Sequence, residues 1–210
     1  MKLRQAVALA LGRARVYAAL SRGFLYPTPA LAAELQQLPP TLCQALQEVS
    51  GAEGLAPFAE ALRVSADLEQ EYQALFGGQV PACPPYETEY TASHVWMQTQ
   101  QMADIAGFYR AFGVDGQATG ERVDYLTTEL EFMYMLCVKE GIAEEEGRAE
   151  AVWVCRDAQG KFLQEHLAAW LPRFLVRLEQ AGAEGYYPAL VGLTERFVNM
   201  ETRRVRGGNG

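Results

Sequence analysis

Carboxylates set among large, soft apolar side chains are the most distinctive chemistry in this chain. They fall in one stretch, Glu121 to Glu140, which reads ERVDYLTTELEFMYMLCVKE. At about 100° per residue the spacing predicts a helix with Val123, Leu126, Leu130, Met133 and Cys137 on a dry stripe. The other side collects Glu121, Asp124, Thr128 and Glu131, with Phe132 and Met135 among them. Such a face suits a ligand that is basic at one end and apolar along its length. The same spacing also describes a helix packed on both sides, its carboxylates bonded to neighbouring loops.

Catalytic constellations are missing. Di-metal carboxylate bundles need Glu-x-x-His pairs, but Thr91 and Leu163 stand three residues before the two histidines, His94 and His166. His166, at the edge of an apolar stripe, reads as a hydrogen-bonded structural residue. The chain carries no phosphate-binding G-x-x-x-x-G-K-[ST] loop, no dinucleotide fingerprint and no G-x-S-x-G elbow. Cys83 has no basic neighbour in sequence to activate it. Glu129 and Glu131 are too close in sequence to share a helical face. The expectation is a protein that is not an enzyme and takes no cofactor and no metal.

The elements that must position the acidic stretch are helical throughout. Apolar periodicity predicts helices over 3–25, 30–38, 41–49, 57–76, 93–112 (capped by Ser93), 121–140 (closed by Gly141), 144–157, 161–180 and 186–202. Pro172 is expected to kink or restart the 161–180 helix. Residues 77–92 form a long, aromatic loop, and 114–120 a polar turn. No internal repeat and no alternating strand pattern is present. The expected fold is an all-α, single-domain helical bundle over 1–202, with a flexible tail at 203–210.

The chain has 210 residues, 50% of them apolar, and 18 basic against 26 acidic groups, net −8. That balance argues against nucleic acid and acidic lipid as partners, and it allows a basic one. The four scattered cysteines form no C-x-x-C pair and read as small core residues of a reducing compartment. Lys2 and Arg4 before AVALAL superficially resemble a signal peptide, but Arg13 and Arg15 close the run at helical spacing without a cleavage site. No stretch approaches the ~20 apolar residues that span a membrane. A cytoplasmic location without stable membrane insertion is expected.

Four landmarks, in order, carry a resemblance. They are Glu71-Tyr72-x-x-Leu75-Phe76; Cys83-Pro84-Pro85-Tyr86-Glu87 with Tyr90; Asp124-x-Leu126 followed by Glu129-Leu130-Glu131-Phe132-Met133; and Phe162, His166-Leu167, Trp170-Leu171-Pro172. Over residues 13–200 the chain resembles the TorD/DmsD/NarJ family of redox-enzyme maturation chaperones. The resemblance implies an all-α chaperone that binds the apo-form of a molybdopterin-dependent oxidoreductase subunit, often by its twin-arginine leader, and delays export until cofactor is inserted. The family's groove residues carry over to Tyr72, Leu75, Phe76 and Asp124, and the charge reading adds Glu131. Tyr125 joins this set, although it stands where the family usually has histidine; that departure brings a client without an exported leader into play. Pro85, Tyr86, Glu87 and Tyr90 form the loop motif, with Tyr86 and Glu87 bracing it. Asp124→Asn is expected to cost client binding more than folding. The family implies a monomer or a helix-swapped homodimer. A helical scaffold with a non-redox client is the alternative reading.

Overall fold

A computed structural model describes residues 2–114 and 121–207. Eleven α-helices occur among them: α1 (Lys2–Gly23), α2 (Pro29–Leu35), α3 (Leu38–Glu48), α4 (Ala56–Ala61), α5 (Leu68–Phe76), α6 (Thr88–Thr91), α7 (Val95–Ala111), α8 (Leu126–Glu145), α9 (Ala149–Phe162), α10 (Ala168–Gln180) and α11 (Tyr186–Gly207). No strand occurs among the described residues; a single antiparallel bridge joins Tyr86 to Tyr125. The fold is an all-α bundle, as the periodicity predicts. No helix among the described residues is long and apolar enough to cross a membrane.

The bundle is built on α1 packed against α8, with α9 and α3 flanking that pair and α11 closing the far side against α10. Leu126, Leu130, Met133 and Cys137 of the predicted stripe are all fully buried in α8. Gly141, expected to end this helix, lies inside it. A Cβ there would meet Leu11 Cδ2 at 3.2 Å, so the glycine serves close approach of α1. The helix instead runs to Glu145, and Gly147 takes the left-handed conformation at φ +67°.

Three other boundaries move for local reasons. The predicted 57–76 helix is two helices, because Ser65 Oγ accepts the Asp67 N–H (3.0 Å) and Leu62 turns extended. A short polar side chain bonding its own backbone competes with the helical ladder. The α7 cap is His94, whose Nδ1 accepts the Met97 N–H at 3.3 Å, in place of Ser93. Helices α9 and α10 run continuously through a π-helical turn at Leu163–Leu167, and Pro172 lies inside α10 without restarting it.

The last helix passes residue 202, after which a flexible tail is predicted, and continues to Gly207. Val205 packs in the core there. Residues 208–210, like the polar turn after Val114, lie outside the described residues.

Leu130→Ala opens a void between α8 and its neighbours, and the expected loss is about 2–5 kcal/mol of unfolding free energy. Denaturant titration checks this; a midpoint equal to wild type would contradict the packing described.

Candidate functional site

Residues 82–91 are strapped across the start of α8. The Cys83 N–H donates to the Leu75 carbonyl (2.8 Å), the Leu126 N–H to the Pro85 carbonyl (3.0 Å) and the Glu87 N–H to the Asp124 carbonyl (2.9 Å). These bonds occupy the backbone around 124–126, which is why α8 begins at Leu126 and not at Glu121. Asp124 therefore does not share a helical face with Glu131.

Asp124 is fully buried, and its carboxylate accepts four hydrogen bonds. Its Oδ2 accepts from the Thr88 N–H (3.2 Å), the Thr88 hydroxyl (2.7 Å) and Arg122 Nη2 (2.8 Å), while Oδ1 accepts from Arg122 Nε at 2.9 Å. Asp124 was expected to meet a client; its four hydrogen bonds are instead made within the chain, and the residue holds the strap. The Arg122 guanidinium lies over the Tyr86 ring at 4.2 Å. Tyr90 stacks on Trp170 and donates its hydroxyl to the Pro84 carbonyl at 2.8 Å.

Beneath the strap lies a buried polar cluster. Glu87 accepts from His166 Nδ1 (3.0 Å), the structural role read for that histidine. Trp170 Nε1 donates to Glu129 Oε2 at 3.0 Å. Glu129 Oε1 and His166 Nε2 are buried without a hydrogen-bond partner. Burial, and then the adjacent Glu87 carboxylate, push the Glu129 pKa well above the ordinary range. Glu129 thus faces a second carboxylate, contributed by the loop and not by its own helix, which helical spacing could not reveal.

The opening lies on the other side of α8. A cleft of about 700 Å³ runs between the ends of α1 and α2, α5 and the first turns of α8. Tyr26, Tyr72, Tyr86 and Tyr125 line it together with Glu34, Glu121 and Glu131. The Tyr72 and Tyr125 hydroxyls meet at 3.3 Å, and Tyr125 also donates to the Phe24 carbonyl at 3.1 Å. Burial, with Tyr72 next, raises the Tyr125 pKa, so the phenol stays a neutral donor. Past Arg22, Leu25, Thr128 and Glu131 the cleft continues into an apolar recess of about 410 Å³ floored by Tyr109, Phe132 and Met135.

Tyr72, Tyr125 and Glu131 of the expected contact residues come together at this cleft, and Tyr86 joins them from the loop motif. Phe76 does not: it is buried against Phe174 and Tyr187. Leu75 packs on the core without lining the cleft. Pro85, Glu87 and Tyr90 brace the strap. Arg22, Tyr26 and Glu34 are cleft residues that the sequence reading missed. Their only signal was Pro27-x-Pro29, which turns α2 back over the end of α1. Burial raises the Cys83 thiol pKa against the pull of Arg177, which leaves it unreactive.

A carboxyl raised above its ordinary 4.5 in the folded state stabilises fully below that value, and the contribution is lost as pH rises through the folded pKa. Glu129→Gln keeps the acceptor for Trp170 without that titration. The variant is expected to gain stability on wild type as pH rises above 4.5. Parallel stability–pH curves for the two proteins would refute the assignment.

A profile described as the nitrate reductase delta subunit matches residues 28–176. The chain is similar to the perchlorate reductase assembly chaperone protein of Dechloromonas aromatica, 31% identical across 90% of this chain and 88% of that one. It is 36% identical to the chlorate reductase assembly chaperone protein of Ideonella dechloratans, over 68% of this chain and 71% of the relative. A selenate reductase assembly chaperone protein from Thauera selenatis is also 36% identical, over 61% and 67%.

Proposed function

Because the chain belongs to the nitrate reductase delta subunit family, in the TorD/NarJ group of redox-enzyme maturation proteins, we propose that it is a dedicated assembly chaperone and not an enzyme. Its client is the apo-form of a molybdopterin-dependent reductase subunit, held until cofactor is in place, and it works in the cytoplasm. The relatives named for perchlorate, chlorate and selenate reductases support a reductase client.

The observation that carries the contact reading is the cleft itself. Four phenol rings and three carboxylates surround a space the size of a few side chains, and an apolar recess opens beside it. Aromatic faces and carboxylates together select a guanidinium, by cation–π attraction and by paired hydrogen bonds. The recess takes an apolar neighbour on the same client segment. A twin-arginine leader, or a basic and apolar segment of a client without an exported leader, meets both demands. The client is not modified; it is shielded, and release follows when folding around the cofactor withdraws the segment.

Isothermal titration against diarginine leader peptides and apo-catalytic subunits tests this. Glu131→Gln and Tyr72→Ala are each expected to weaken binding about three- to tenfold, the scale of a half-exposed charge or ring contact. Absence of binding to both ligand classes would end the proposal. Asp124→Asn, by contrast, is expected to lower unfolding free energy by about 1–3 kcal/mol through the strap. Loss of affinity at unchanged stability would return Asp124 to the contact surface.

A further inference from the structure

Among the described residues lining the cleft and its apolar recess, Arg22 is the only cationic side chain. It stands at their junction, on the last turn of α1, and its guanidinium is paired with Glu34 of α2 across the cleft mouth. Both partners are about half exposed, at 52% and 57% of the side chain. Ion pairs this exposed contribute little, so the pair opens at little cost. Arg22 thus already sits as a guanidinium among carboxylates and phenols suited to guanidinium.

We propose that Arg22 is a resident competitor, which holds Glu34 when no client is bound and yields it to a cationic side chain of the client on binding. This rests on the cleft being the client site. The exchange replaces one surface ion pair by another in the same place, so the net gain from charge is small. Discrimination then falls to what Arg22 cannot supply: a second basic group for Glu131 and an apolar side chain for the recess. A segment with a single exposed lysine or arginine gains almost nothing by displacing Arg22 and is rejected. Arg22 is in this sense a specificity residue that raises the threshold for occupancy.

A built-in control lies two turns earlier on the same helix. Arg15 pairs with Glu48 of α3 in a similarly exposed bridge, but lines neither the cleft nor its recess. Arg22→Gln and Arg15→Gln change net charge identically, and differ only in position.

The experiment is titration of one diarginine leader peptide into wild type, Arg22→Gln, Arg15→Gln and Arg22→Gln/Glu34→Gln, each first shown to be folded by circular dichroism. Arg22→Gln is expected to bind about two- to fivefold tighter, the ceiling set by a surface pair. Arg15→Gln is expected to match wild type, and the double variant to lose the gain. Affinity unchanged or weakened in Arg22→Gln, or an equal gain in Arg15→Gln, overturns the competitor role while wild-type binding keeps the cleft as client site. A wild type that binds neither the peptide nor the apo-subunit removes both.

Discussion

A guanidinium sealed inside the bundle fixes the relative positions of four helices. Arg13 of α1 is fully buried, and it donates Nη1 to Glu140 of α8 (2.9 Å), Nη2 to Gln159 of α9 and Nε to Glu201 of α11. Burial alone would lower its pKa, but Cys137, Glu201 and Glu140 around it more than offset that and hold the charge. Each buried carboxylate has a second arginine nearer the surface: Arg156 for Glu140 at 2.7 Å and Arg204 for Glu201 at 3.0 Å. Burial would raise the Glu140 pKa, yet Arg13, the Gln159 amide and Arg156 together bring it below the ordinary value. A charge in such a place is tolerated only when its donors are matched, so the network admits a single register of α1 against α8.

From that fixed point the cleft end of the molecule follows. Pinning α1 at Arg13 places Arg22 at the cleft and Ser21 beside its apolar recess. Pinning α8 at Glu140 places Thr128 and Glu131 opposite them. The strap then fixes the start of α8 from outside, through Asp124 and the backbone of Glu87 and Leu126. Polar groups are thus divided into two populations with opposite duties. Asp124 and Glu87 are enclosed and bonded internally, and Glu129 is enclosed with one oxygen unpartnered; Glu34 and Glu131 keep an open side. Sequence type does not distinguish the two populations, because all are carboxylates on or near helices.

What was legible in the sequence was periodicity. The dry stripe of α8, the all-helical class and the four landmarks depend on local spacing; the helical class is as read, and the stripe holds from Leu126 on, while Val123 lies before the helix and is only partly buried. What was not legible depends on partners distant along the chain. Arg13 looked like a residue closing an apolar run, and nothing near it in sequence announces Glu140, Gln159 or Glu201. Asp124 looked like a surface acid because local spacing starts its helix at Glu121. The bonds that delay that start come from Pro85 and Glu87, in a loop that neither pattern nor propensity connects to it. Phe76 looked like a groove residue and is core, since Phe174 and Tyr187 reach it from the C-terminal helices.

The wide turn at Leu163–Leu167 has a geometric effect beyond its own length. Buried positions continue from Val152 through Cys155, Gln159, Phe162, His166, Trp170 and Phe174 to Leu178, and the later gaps are all of four residues. An unbroken α-helix at about 100° per residue would carry that row some 80° around the axis by its end. One additional residue in a single turn cancels most of this drift. The long helix consequently behaves as a rod with a vernier set into it: shortening it by one residue there would rotate Trp170 and Phe174 off the strap while leaving Phe162 seated.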